Sequence, residues 1–177
     1  MDLNPARSFG GVLRLQRVPP DAEFQARAPE LRALLDSAGT SRLVIDLRSN
    51  GGGDFTRFRR HLLPLLIAQR ATAAEDGLYV LIGPGTFSAA MVNALDLKRE
   101  EGAVLVGLPT GQRPNTYREH GEIRLPNSGL RVSVSTAFYR FALDADTALV
   151  PDVLVRPSWE QFRAGRDEAL EWTTRRR

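Results

Sequence analysis

The sequence predicts an α/β fold of repeated βαβ units, closed by a C-terminal β-hairpin and short terminal helices. Three observations carry that expectation. Short apolar runs at residues 43–47, 78–82 and 103–107 have the composition of parallel strands buried on both faces. Segments with apolar residues at helical spacing lie between them. Past residue 120 the helical spacing gives way to two short strands around the turn Pro126-Asn127-Ser128-Gly129. The order strand, helix, strand, helix, strand favours a parallel sheet with right-handed crossovers.

In chain order, residues 1–10 read as a flexible N-terminus and residues 11–177 as one domain. Residues 11–17 alternate apolar and polar, as a strand does. Pro19-Pro20 ends that strand, and Asp21 is suited to cap the helix that follows. Phe24, Ala28, Leu31, Leu34 and Leu35 then form one apolar face as far as Ser37, with Pro29 as a kink or restart. Phe55, Phe58, Leu62, Leu65 and Leu66 form a second helical face, with a kink at Pro64. Residues 87–98 are an alanine-rich helix, which suits close packing. The hairpin strands are expected at 123–125 and 130–135, and a last strand at 153–155. Ser158, with Gln161 three residues on, starts a short helix as a capping box, and 167–174 form a terminal helix.

Composition narrows the function classes. The chain has no cysteine, which excludes disulfides, thiol catalysis and cysteine-ligated metal. Its net charge is +3, and the basic tail Arg175-Arg176-Arg177 reads as a solvated terminus rather than a nucleic-acid element. No apolar run has the length of a membrane span, and the first residues have no apolar signal-peptide core. A cytoplasmic location is the expectation, or an exported one if the sequence is part of a longer precursor. Two histidines far apart in sequence, without clustered carboxylates, point to no metal site, and no cofactor motif is present.

Two strand-to-turn segments carry the chemistry, RLVIDLRSNGGGD from Arg42 and LYVLIGPGTFSAAM from Leu78. The first ends in Gly51-Gly52-Gly53. Glycines allow a sharp turn that presents backbone N–H groups to an anionic oxygen. The second places Ser88 at a helix start, where the helix dipole favours developing negative charge. The N–H of Ala89, in the first helical turn, has no intrahelical partner and is a natural second donor. Structural readings stand beside these: a turn that needs positive φ, and Thr86 or Ser88 as a simple helix cap. The glycines form neither a P-loop nor a dinucleotide fingerprint, and the serine is not in a G-x-S-x-G elbow.

The segments DLRSNGGG, TFSAAM, VGLPTG and PDVLV, in this order, resemble the catalytic domain of the S41 serine peptidases. This is the C-terminal processing or tail-specific family, related to the tricorn core and to interphotoreceptor retinoid-binding protein modules. The resemblance runs from Gly11 to the C-terminus, where the stretch from Gly165 to Leu170 is similar to the family's final helix. It implies a ClpP/crotonase-like spiral, with Ser88 as nucleophile and Gly52, Gly53 and Ala89 as oxyanion N–H donors. Thr110 matches a threonine of the family's G-x-x-T turn. Two positions depart from the pattern. The lysine of the Ser-Lys members falls at Arg113, and arginine cannot act as a general base. The glutamate expected three residues past the serine is Met91. The turn from Thr110 to Asn115 resembles that of a T-G-x-R-P-N subgroup, whose members need a different base or none.

Other bases can be weighed. Lys98 lies ten residues along the helix from Ser88, about 15 Å away and out of reach. His120 and Glu119 follow the Thr110 turn and could fold back toward Ser88; otherwise they are exposed loop residues beside Arg118 and Glu122. His61 reads as a rim residue, and Asp46 and Arg48 as residues that orient the glycine turn. Three readings stay open. The first is a serine-type peptidase acting on peptide or unfolded protein through an acyl-enzyme. The second is a binding or scaffold module that keeps the fold without the base. The third is an apolar-ligand-binding relative.

Overall fold

The computed structural model describes residues 2–6, 10–37, 42–70, 77–142 and 147–175. Strands β1 (Asp2–Ala6), β2 (Gly10–Arg14), β3 (Leu43–Asp46), β4 (Leu78–Ile82), β5 (Val104–Gly107) and β8 (Val153–Leu154) form one sheet in the order β1-β2-β3-β4-β5-β8. β2, β3, β4, β5 and β8 run parallel to their neighbours, and β1 pairs antiparallel with β2. β6 (Thr116–Arg124) and β7 (Arg131–Tyr139) form a separate two-stranded sheet.

The helices are α1 (Asp21–Ser37), α2 (Phe55–His61), α3 (Leu63–Arg70), α4 (Ala89–Glu101), α5 (Trp159–Arg163) and α6 (Glu168–Thr174). Alternation along the strands separates two cores. Leu13, Ile45, Val80, Ile82 and Leu105 pack with Phe24 and Leu31 of α1, Phe58 of α2, Leu66 of α3 and Leu97 of α4. Val12, Val44, Leu81 and Val106 pack with Ala169, Leu170 and Trp172 of α6. The crossovers from β2 to β5 therefore all lie on one face and advance one strand at a time, which makes the fold a spiral of βαβ units. This is the predicted class.

Several boundaries differ from the sequence reading. Residues 2–6, expected to be part of a flexible N-terminus, form β1. β2 ends at Arg14; beyond it Leu15 N–H donates to Asp46 O at the end of β3 and Val18 N–H to Gly52 O in the glycine turn, both at 3.0 Å. α1 continues through Pro29. The helix after the glycines divides at Leu62, because Pro64 removes a backbone donor and its ring collides with the preceding turn. The hairpin strands are far longer than the stretches read from sequence, nine residues each. One hairpin face carries the cross-strand pairs Tyr117/Phe138 and Ile123/Val132, all exposed. The other face meets the body at its base, where Phe55 contacts Tyr139 and Phe141 at ring separations of 6.4 and 5.5 Å.

Candidate functional site

The site lies where the turns after β3 and β4 meet. Asp46, at the end of β3, accepts from the Arg48 backbone N–H and from two nitrogens of its guanidinium. Arg48 also donates to both oxygens of Asp167, the N-cap of α6, at 2.8 and 2.7 Å. Burial alone would push the Asp46 and Asp167 carboxyls up, but the hydrogen bonds and charge of Arg48 outweigh it and hold both below their ordinary values. The same carboxylates raise the Arg48 guanidinium against the opposing effect of burial. Asp46 and Arg48 of this ion cluster lie just before the glycine turn in the chain.

In that turn the Asn50 side chain accepts from Gly52 N–H at 3.0 Å. Gly52 has φ 118°, and a Cβ there would lie 2.8 Å from Ser88 Cβ. Only glycine lets the two turns approach this closely. Gly53 has φ 133° and packs on Val18. Asp54 then caps α2 by accepting from Thr56 N–H at 2.9 Å.

The second turn is tied to the first. Thr86 Oγ1 donates to Leu47 O at 2.9 Å and accepts from Gly83 N–H at 3.0 Å. Phe87 N–H donates to Asn50 O at 3.0 Å. A Cβ on Gly85 would lie 2.4 Å from Arg48 O. Ser88 is then held at φ 51°, ψ −120°, a sparsely populated conformation for a residue with a side chain. Its side chain makes no cap bond, which removes the reading of Ser88 as a simple helix cap. Its N–H donates to the Gln112 side-chain oxygen at 2.9 Å. α4 begins at Ala89, whose N–H, like that of Gly53, has no acceptor among the described residues.

The structure thus brings Ser88, Gly52 and Ala89 together, with Gly53 next to them. Of the three predicted donors, the Gly52 N–H is already engaged by Asn50. Thr110 is buried and stitches two loops: its N–H and Oγ1 both bond Leu149, and Oγ1 donates to Gln112 O at 2.8 Å. Arg113 is exposed, and Met91 is buried in α4. Glu119, at φ 49°, accepts from the Tyr139 hydroxyl at 3.3 Å, and His120 stands exposed on β6 opposite Ser135. Neither hydrogen-bonds Ser88, and Ser88 Oγ has no hydrogen-bond partner among the described residues. His61 pairs with Asp21 at 2.7 Å and stacks on Phe24, at the junction of α1 and α2.

Sequence reasoning did not find the Asn50 or Gln112 side chains. Asn50 had a local signal, since asparagine commonly accepts from the N–H two residues on. Gln112 had none, because its bond spans 24 residues. A cavity of about 440 Å³ lies beyond the C-terminal ends of β4, β5 and β8, lined by Arg48 and Asp167 of the ion cluster together with Ile82, Leu108, Val155 and Phe162.

No protein-family model and no curated protein sequence matches the chain. Solved structures do match it. Mature CPAF complexed with lactacystin superposes with a TM-score of 0.61 at 14% identity, over 92% of this chain and 50% of that one. The tricorn protease gives 0.57 at 12% identity, over 93% of this chain and 17% of that one. The photosystem II D1 C-terminal processing protease gives 0.51 at 21% identity, over 85% of this chain and 46% of that one. The chain spans half or less of each of these proteins. Its fold is S41-like, of the ClpP/crotonase class.

Proposed function

We propose that this chain is a serine-type, peptidase-like hydrolase domain that opens peptide bonds through an acyl-enzyme on Ser88. The observation that carries the reading is the Ser88 backbone. At φ 51°, ψ −120° it is held in a conformation that costs about 1–3 kcal/mol, with its Oγ kept out of any cap bond. Strain of this kind persists where surrounding structure enforces it, and here the Gln112 contact and the Gly52 approach do so. Ser88 Oγ would attack the peptide carbonyl carbon, and the new oxyanion would take the N–H groups of Gly53 and Ala89. Each such donor contributes about 2.7–4 kcal/mol to transition-state stabilisation. The C–N bond then breaks, the amine leaves with the proton, and water hydrolyses the ester. His120 is the group whose contribution as base is to be tested, with Glu119 beside it.

A fluorophosphonate probe tests the reading. Labelling at Ser88 that disappears in Ser88→Ala is the expected result, and a tenfold or greater slowing in His120→Ala would assign the base to the hairpin. Absence of labelling, with no turnover of an unfolded protein, overturns the enzyme reading and leaves the scaffold alternative. One observation favours the apolar-ligand reading instead: the cavity bordered by Phe162, which stacks on Trp159 at 5.7 Å. A saturable change in tryptophan fluorescence on titration with a long-chain alcohol, lost in Trp159→Phe, would support it.

A further inference from the structure

The β6–β7 hairpin has the side-chain pattern of a sheet with one face against a core, yet that face lies open to solvent. Alternation along the two strands places the cross-strand pairs Tyr117/Phe138, Gly121/Val134 and Ile123/Val132 on it, with Thr136 in the same row of side chains. Leu125 and Leu130, joined by a backbone bond of 2.8 Å, continue the alternation toward the tip. The seven apolar side chains of this face are exposed, from 39% at Leu125 and Val132 to 64% at Leu130. The opposite face carries Glu122, Arg124, Arg131, Ser133 and Ser135.

Glu119 shows how the open face stays free of charge. Its place between the pairs Arg118/Ala137 and His120/Ser135 assigns it by alternation to the apolar side. Instead its backbone takes φ 49°, a left-handed conformation that disfavours a residue with a Cβ. Its carboxylate accepts from the Tyr139 hydroxyl at 3.3 Å, on the side where Tyr139 meets Phe55. The result is an uncharged apolar strip about 30 Å long and about 10 Å wide.

We propose that this strip is a homodimer interface, covered by the same strip of a second copy of the chain. Charge selects that occupant. In a two-fold interface a patch meets itself, so any charge on it would face a like charge, and this strip carries none. Size sets the strength. A second sheet laid over the strip would remove roughly 600 Å² from each copy, short of the about 800 Å² of a standard stable interface and matched to the weak, reversible class. Association is therefore concentration-dependent, with a Kd on the order of 10–100 µM. The Gly121/Val134 row lies midway between the Tyr117/Phe138 and Leu125/Leu130 rows. A two-fold axis across it lays Val134 over its counterpart, and the aromatic pair at the base of one hairpin over the leucines near the tip of the other. This inference stands apart from the reading of Ser88, and its test involves no turnover.

Sedimentation equilibrium of the full chain from about 5 to about 500 µM should show the monomer giving way to twice its mass. Val134→Lys sets like charges against each other at the axis and should weaken association at least about tenfold. Ser133→Lys adds the same charge to the opposite face of the same strand and should leave association within about twofold of the parent. Mixing Val134→Lys with Val134→Glu, each monomeric alone, should restore the dimer, which separates loss of the interface from loss of the hairpin. At about 5 µM the chain is monomeric and the distal hairpin amides exchange as those of an uncovered hairpin; at about 300 µM they should exchange about threefold more slowly in the parent and unchanged in Val134→Lys. A parent chain that stays monomeric at about 500 µM overturns the proposal and leaves the strip to a different partner. Equal association of the parent and Val134→Lys, equal loss in Ser133→Lys and Val134→Lys, or a mixture that stays monomeric overturns it as well.

Discussion

Ser88 and Gly52 constrain one another, and each makes a prediction whose sign is unusual. In an ordinary helix, glycine is less stable than alanine by about 0.5–1 kcal/mol. At Ser88, with φ 51° and ψ −120°, any residue with a Cβ is strained. Ser88→Gly should therefore be more stable than Ser88→Ala by about 1 kcal/mol in urea unfolding. Equal stability, or the usual order, would mean that the backbone relaxes when the hydroxyl is removed. Gly52→Ala should cost about 2 kcal/mol or more, since its Cβ would meet Ser88 Cβ at 2.8 Å and its φ of 118° excludes side chains. It should also abolish fluorophosphonate labelling, and a variant that labels normally would remove Gly52 from the site. At this scale the sequence was legible wherever the signal was local. Glycine runs and a small-residue helix start mark the two turns, whereas Gln112 acquires its partner only through long-range folding.

Elements buried on both faces were the easiest to read and should also be the most stable. The apolar run at 78–82 coincides with β4, and the runs at 43–47 and 103–107 overrun β3 and β5 by one residue. The hairpin was read short because Thr116, Glu119, His120 and Gly121 break the alternation that marks a strand; β6 owes its length to its partner β7. β1 was missed because Asp2–Ala6 contains Pro5 and carries no period, and it exists by pairing with β2. Backbone pairing with little burial is weak stabilisation, and an isolated two-stranded hairpin is marginal in water. Residues 121–124 and 131–134 are exposed on both strands. Amides of this distal half should exchange with deuterium at least 100-fold faster than those of β3 and β4 under native conditions. Comparable protection would mean that the exposed face, with Ile123, Val132 and Val134, is covered in solution.

For the molecule as a whole, the two layers of helices are joined through the sheet, and Arg48 fastens one of them. It bonds Asp46 on β3 and Asp167 at the head of α6, while Arg14 on β2 adds a further contact to Asp46 at 3.2 Å. Asp46 is buried, so removing its main partner leaves its charge with only the Arg14 contact and the backbone N–H at position 48. Arg48→Met should cost about 3 kcal/mol at pH 7, the range found when one member of a buried pair is lost. The pH dependence separates this electrostatic role from lost packing. Asp46 and Asp167 titrate below their ordinary value of 3.8 in the folded chain. Their contribution is therefore complete well above pH 4 and is lost as the pH falls through the lowered folded values. In Arg48→Met the burial of Asp46 is no longer outweighed, its carboxyl moves upward, and protonation relieves the variant as the pH falls. The stability gap between parent and variant should accordingly be widest near pH 7 and narrow steadily toward pH 3, as measured by urea unfolding across that range. A gap that stays constant with pH would assign the loss to the packing of the Arg48 stem, and the attachment of α6 would then rest on Ala169, Leu170 and Trp172 alone.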